Sequence, residues 1–245
     1  MLKHLSLPGE LMELYSPIGL LPVDAFTGGG PMGKVSAFLD LQDDNGNWRE
    51  TGIKEVRTPG GVIAYPGLER RSDVIGKPPR HYRVRIEAEL YQPLYLMTED
   101  AIEFDAFPYN DTNPPENYPK SPDEFPDYLS KVLMKVMLTP GPNYPFPSHI
   151  MVLRGVVIDK TTEEPVDRVE VVWDNKEVTL TSGDHKRVLT ATKGVFALPL
   201  RVTKKDQLEN NQLIDAFDHR TNRTGQIEIS IPQAVGKNQV IPIEN

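Results

Sequence analysis

Apolar and polar residues alternate with a period of two along much of this chain. Tyr82, Val84, Ile86, Ala88 and Leu90 interleave with Arg83, Arg85, Glu87 and Glu89, which predicts a strand with one buried and one charged face. Ile102, Phe104 and Ala106 predict another, and Ile227, Ile229 and Ile231 a third against Glu228 and Ser230. Strand-like runs also cover Ile150, Val152 and Val156 to Ile158, then Val169 to Trp173, then Val240-Ile241-Pro242-Ile243. Asp43-Asp44-Asn45-Gly46-Asn47 separates two such runs, and Asn-Gly favours the left-handed backbone of a hairpin turn. Two stretches fit more than one element. Leu129, Val132, Leu133 and Val136 have helical spacing between Pro126 and Pro140, whereas Val132, Met134, Val136 and Leu138 suit a strand equally well. In the polar run 204–223, Leu208, Leu213, Ile214 and Phe217 fit a short amphipathic helix or anchors of a long loop.

The pattern occurs twice. Gly61-Val62-Ile63-Ala64-Tyr65-Pro66 returns 133 positions later as Gly194-Val195-Phe196-Ala197-Leu198-Pro199. Upstream of each copy, Thr27, Pro31, Val35, Ala37 and Leu39 match Thr161, Pro165, Val169, Val171 and Trp173 at an offset of 134. Two blocks in the same order predict a duplicated domain. The expected organisation is a first β-sandwich over 1–107, a proline- and tyrosine-rich linker over 108–148 that can hold a short helix or strand, and a second β-sandwich over 149–245. Ten of the 23 prolines lie between Phe107 and Ser148, and proline, lacking a backbone donor, keeps most of that stretch out of a sheet. A plain spacer would be rich in glycine and serine, yet this one carries aromatic rings. Tyr109, Tyr118, Phe125, Tyr128, Tyr144 and Phe146 are therefore candidate partner-binding residues.

Composition narrows the function. A net charge of −8 disfavours nucleic acid, which needs a basic surface, and adhesion to anionic membranes. No run approaches the ~20 apolar residues of a membrane span. The chain has no cysteine, which excludes disulfides and thiolate metal sites and suits a reducing compartment. With a first stretch that lacks the apolar core of a signal peptide, cytoplasmic residence is expected. The exception to the acidic balance is Glu69-Arg70-Arg71 with Lys77, Arg80, Arg83 and Arg85; it reads as a solvated loop or as a patch, centred on Arg70 and Arg71, that meets an acidic partner.

Motifs of catalysis are weak. Gly28-Gly29-Gly30-Pro31-Met32-Gly33-Lys34 has the spacing of a phosphate-binding loop, but Val35 follows where Ser or Thr would hold magnesium, and a strand follows instead of a helix. Asp43, Asn45 and Asn47 begin like a calcium loop, with Gly46 two places early and no glutamate at the twelfth position. The histidines, His4, His81, His149, His185 and His219, form no His-x-x-x-His pair, and there is no Gly-x-Ser-x-Gly elbow. No catalytic residue, metal ligand or cofactor site is expected.

The second repeat resembles a carboxypeptidase regulatory-like domain, one of the transthyretin-like β-sandwiches. The matching residues are Leu153-Arg154-Gly155-Val156-Val157-Ile158-Asp159, the turn Glu164-Pro165-Val166, the strand Val169 to Trp173, and Thr190 or Thr192 with Gly194, Phe196 and Leu198. The first repeat keeps part of this pattern, with Ile63 in place of phenylalanine. The resemblance implies an all-β chain of two tandem transthyretin-like β-sandwiches that docks or presents and does not catalyse. The segment Leu138-Thr139-Pro140-Gly141-Pro142-Asn143-Tyr144-Pro145-Phe146-Pro147, running into Leu153-Arg154-Gly155, is similar to segments found with phage-tail-like contractile injection systems. Together these imply a structural or adaptor protein with protein partners in a larger assembly. The other reading is a ligand- or carbohydrate-binding module using Trp48, Tyr65 or the linker tyrosines.

Overall fold

The computed structural model describes residues 2–7, 10–92, 95, 101–115, 118, 122–173, 187–200 and 211–244. Almost all regular structure is strand. The chain divides into two compact units, Met1–Val23 with Lys34–Glu87 and Pro93–Met137, and Asp24–Gly33 with Ala88–Gln92 and Leu138–Asn245.

The first unit contains β1 (Leu2–Leu7) and β2 (Glu10–Leu14), paired with each other, then β3 (Gly19–Asp24), β4 (Val35–Gln42), β5 (Trp48–Glu50), β6 (Val56–Arg57), β7 (Ile63–Ala64), β8 (Arg80–Ala88), β9 (Ile102–Ala106), α1 (Phe125–Val132) and β10 (Leu133–Leu138). Its larger sheets have the orders β10-β3-β7-β6 and β5-β4-β8-β9. The expected alternation is present. Leu20 on β3 and Val136 on β10 are buried while their neighbours along each strand are more open, as in a sheet with one hidden face; Leu39 on β4 and Val84 on β8 are buried too, each beside a buried polar neighbour, Asp40 and Arg83. Asn45-Gly46 makes the β4–β5 hairpin, with Gly46 at φ +81° and the Asp43 carboxylate accepting from the Asn45 and Asn47 amides.

The second unit contains β11 (Met151–Asp159), β12 (Glu170–Trp173), β13 (Arg187–Leu189), β14 (Val195–Leu200), β15 (Asn211–Asp218), β16 (Arg223–Ser230) and β17 (Asn238–Ile243). Its sheets have the orders β14-β11-β17 and β13-β12-β15-β16. Leu153 and Phe196 from one sheet and Trp173 and Ile214 from the other belong to one buried cluster. Burying each such side chain contributes about 1.5–3 kcal/mol.

The strand orders of the two units coincide: β7-β3-β10 matches β14-β11-β17, and β5-β4-β8-β9 matches β13-β12-β15-β16. Equivalent turns use the same hydrogen bonds. Before β7, the Gly61 amide donates to the Thr58 carbonyl and the Thr58 amide to Val62; before β14, Gly194 donates to Ala191 and Ala191 to Val195. Gly61 and Gly194 share positive φ values of 82° and 66°, a region where a Cβ is strained. The turns after β3 and β11 correspond at an offset of 135: Asp24 Oδ1 accepts from the Phe26 and Thr27 amides, and Asp159 Oδ1 from those of Thr161 and Thr162. The structural mate of Thr27 is thus Thr162, one place beyond the Thr161 expected from sequence.

Three stretches gain definition. The proline-rich stretch 108–148, for which a short helix or strand is possible from sequence, contains both α1 and β10, and β10 is an edge strand of the first unit's sheet. Val136, on its buried face, fits it to that place. The ambiguous stretch 123–138 is a helix and then a strand, so both readings hold in succession. Within 204–223, the described part forms β15 and the turn that follows it: Leu213, Ile214 and Phe217 lie on β15, where Ile214, Ala216 and Asp218 supply a buried period-two face; Leu208 lies outside the described residues.

Candidate partner-binding site

Residues 15–18 are fixed first. The Ser16 hydroxyl donates to the Ile18 carbonyl at 2.6 Å and accepts from the Tyr65 amide at 3.0 Å, and the Gly67 amide donates to the Tyr15 carbonyl at 3.0 Å. Tyr109 is fixed by a short parallel bridge to Arg70, with its amide donating to Glu69 and its carbonyl accepting from Arg71. Near the start of α1, Pro126 costs no helical hydrogen bond, because that amide has no intrahelical partner. Tyr128, Leu129 and Val132 then fall on one side of the helix.

These anchors bring four tyrosines into an edge-to-face chain. Ring centroids are 5.1 Å apart for Tyr109 and Tyr15, 4.2 Å for Tyr15 and Tyr118, and 5.4 Å for Tyr118 and Tyr128. Beside them lies a cleft of about 350 Å3 lined by Tyr15, Ile18, Val62, Pro66, Tyr118, Tyr128, Leu129 and Leu133 among others, with no charged side chain among the described residues of its lining. Its polar lining side chains among the described residues, besides the tyrosines, are Ser16 and Thr58. Both are already used, Ser16 as above and Thr58 Oγ1 in accepting from the Val62 amide at 3.1 Å. A cleft of this size, apolar and with its few polar groups engaged, is suited to apolar contact and poorly suited to holding water.

Arg70 and Arg71 line a separate polar groove of about 470 Å3 with Ser72, Asn110, Asp111 and Thr112. Both arginines face carboxylates of their own chain. Arg70 Nη2 donates to both oxygens of Asp111 at 2.8 and 2.9 Å, and Arg71 lies 3.6 Å from buried Glu69. Glu69 also accepts from Tyr82 at 2.6 Å and from Arg80 at 3.3 Å. Burial, then Glu69, pushes the Tyr82 hydroxyl well above its ordinary pKa. Arg83 and Arg85 converge on Asp40 at 2.7 and 2.8 Å. Burial alone would raise the Asp40 pKa, but its bonds to Arg85 and Arg83 outweigh that and hold it low. The basic run of the sequence is therefore built into ion pairs.

Tyr144 and Phe146 lie elsewhere, in the second unit. Tyr144 is buried, and its hydroxyl donates to Asp24 Oδ2 at 2.5 Å; Tyr91 donates to the same oxygen at 3.0 Å and accepts from the Met32 amide at 2.8 Å. Phe146 sits 4.8 Å from Tyr144 and 5.3 Å from Phe26, ring to ring. Burial, reinforced by the Asp24 carboxylate, pushes the Tyr91 hydroxyl up to about 12. The glycine-rich run 28–33 is the turn that Asp24 caps, and it leads into β4. Tyr144 is thus a core residue, which corrects its expected place at a partner surface.

Of the expected site residues, Tyr109, Tyr118 and Tyr128 are brought together, with Tyr109 buried at one end of the chain of rings. The side chain of Phe125 lies outside the described residues. Trp48 and Tyr65 do not offer the open aromatic faces expected for sugar binding. The Arg83 guanidinium lies 4.5 Å over the Trp48 ring, and Tyr65 is buried. Sequence reasoning missed Tyr15, which no motif marks, and Asp24, whose kinship with Asp159 was available from the repeat. Among the described residues no cluster of His, Asp or Glu could hold a metal ion, and no helix is long and apolar enough to cross a membrane.

No protein-family model and no curated protein sequence matches the chain. It is similar to several solved pilins. With the Streptococcal ancillary pilin it shares 12% identity over 93% of this chain, at a TM-score of 0.28, and the match spans 62% of that protein. With the shaft pilin SpaA from Lactobacillus rhamnosus GG the identity is 8%, covering 92% of this chain and 96% of that one, at a TM-score of 0.28. With BcpA, the major pilin subunit of Bacillus cereus, it is 12%, covering 92% and 68%, at 0.24. At such values nothing of what those proteins do is carried over to this chain.

Proposed function

We propose that this chain is a non-enzymatic structural or adaptor protein that docks a protein partner through the tyrosine-lined cleft of its first unit. The observation that carries this reading is the convergence of Tyr118 and Tyr128, from the proline-rich segment, with Tyr15 on an apolar cleft. Aromatic rings around a concave apolar surface supply large contact area at small entropic cost. The buried carboxylates Asp24, Asp40, Glu69 and Asp218 are each tied to tyrosines, arginines or backbone amides of their own unit, as structural groups are. The resemblance of 138–147 to segments of contractile injection systems supports a place in such a particle, assembled in the cytoplasm. Genes for sheath, tube and baseplate beside this one would agree with it.

The test is assembly. Tyr118→Ala with Tyr128→Ala is expected to release the chain from its native complex, read by co-purification and sedimentation, while the unfolding midpoint changes little. Retention of the double variant in the complex at the wild-type level overturns docking through the cleft.

A further inference from the structure

We infer that the occupant of the cleft is an extended, proline-containing segment of the partner, flanked by basic residues. This rests on the docking reading above and names the chemistry of what docks. The chain of rings already holds prolines of its own. A second hollow on the same tyrosines, lined by Pro17 and Pro115 together with Leu68 and Phe107, has only about 10 Å3. Pro115 is held there as part of a turn in which the Tyr118 amide donates to its carbonyl at 2.9 Å. Tyr15 and Tyr128 thus border both this nearly closed hollow, with Pro17 and Pro115 in its lining, and the open cleft of about 350 Å3, whose lining includes Pro59 and Pro66.

Proline suits this surface for a physical reason. It presents an apolar ring, and an extended polyproline backbone is stiff before it binds, so little entropy is lost on docking. The cleft has few free donors or acceptors to offer, and a proline nitrogen has no hydrogen to satisfy. Charge sets the flanks. The helix that forms one wall is preceded and begun by exposed Asp123, Glu124 and Asp127, against Lys131 alone in its last turn, on a chain of net charge −8. An approaching basic segment is favoured and an acidic one repelled.

The experiment titrates the full-length chain with a labelled synthetic peptide of about ten residues, prolines in the centre and arginines at both ends. A second peptide replaces every proline with alanine. The proline peptide is expected to saturate, the alanine peptide to bind at least about tenfold more weakly, and added salt to lower affinity. Leu129→Lys places a charge in the cleft wall at an exposed helical position and is expected to weaken proline-peptide binding by about tenfold without lowering the unfolding midpoint. Equal binding of both peptides, no binding, or an unchanged affinity in Leu129→Lys overturns the inference. If the proline peptide fails while Tyr118→Ala with Tyr128→Ala still releases the native complex, docking through the cleft stands and the occupant named here is wrong.

Discussion

Two turns of this molecule begin in the same way and end in different environments. After β3, Asp24 caps its turn with one carboxylate oxygen; after β11, Asp159 does the same with the same two amide positions. The second oxygen separates them. That of Asp24 is fully buried and accepts from Tyr144 and Tyr91, whereas that of Asp159 meets the Arg223 guanidinium in a partly open setting. The local code of an Asx turn is repeated, and the neutral or charged partner is chosen by what packs around it. A buried carboxylate held by two hydroxyls and two amides makes the stretches 24–33, 88–92 and 138–146 interdependent. An open one bridging to an arginine fastens a single strand end.

The largest expected effect tests that difference directly. Asp24→Ala leaves two tyrosine hydroxyls and the Phe26 amide without their acceptor in the interior, and is expected to cost about 4 kcal/mol by urea unfolding. Asp159→Ala should shift the unfolding midpoint far less, since water can replace the lost acceptor. Equal losses for the two variants would break the contrast.

The matched glycines sharpen it. At Gly61 an added Cβ meets no atom within 4 Å, so Gly61→Ala carries only the strain of positive φ, about 1 kcal/mol. At Gly194 the Cβ would lie 2.5 Å from the Val157 carbonyl oxygen and 3.0 Å from the Val166 amide, both backbone. Gly194→Ala is expected to cost about 3 kcal/mol, read by thermal or urea unfolding. Similar costs would mean that the two turns are packed alike.

Acid reaches the second unit through Asp218. Burial would raise its pKa, but hydrogen bonds from Thr221, Arg220 and Arg223 prevail and hold it at about 2. Its stabilisation, of order 2 kcal/mol, is present above about pH 4 and is lost as pH falls through about 2. Asp218→Asn should flatten that part of the acid unfolding curve; an unchanged curve would mean that other carboxylates dominate it.

The smallest effect concerns the first unit. His81 sits between Asp105 at 2.8 Å and Glu103 at 3.1 Å, and its bond to Asp105, then that to Glu103, raises its pKa against the opposing effect of burial. Its contribution is present below about pH 6.5 and fades as pH rises through the raised value. Asp105→Asn is expected to bring the His81 titration, followed by NMR, back toward the ordinary range.

Much of the fold was legible because periodicity reports which face of a strand is buried without reference to distant residues. Tyr82, Val84 and Ile86, the Asn45-Gly46 hairpin and the matched glycines all behave as their local sequence predicts. The stretch 204–223 misled because Leu213, Ile214 and Phe217 fit a helix, while the buried face of β15 includes Asp218, a polar residue that pattern reading does not count toward a core. The cleft was half legible. Tyr118 and Tyr128 stood out as rings among prolines, but Tyr15 is about a hundred residues away in a stretch without a motif.

By itself, then, the sequence determined the strand-rich character and the turn chemistry, because propensity, alternation and Asx capping act over a few residues, whereas the strand order rests on pairings such as β11 with β17, over about eighty positions. The tertiary structure decided which rings become a surface and which become core. Tyr128 and Tyr144 look alike as aromatic residues among prolines. One lines a cleft on α1 and the other donates a hydrogen bond to a buried carboxylate 120 positions away. Burial of that kind depends on long-range partners, and no local pattern encodes them.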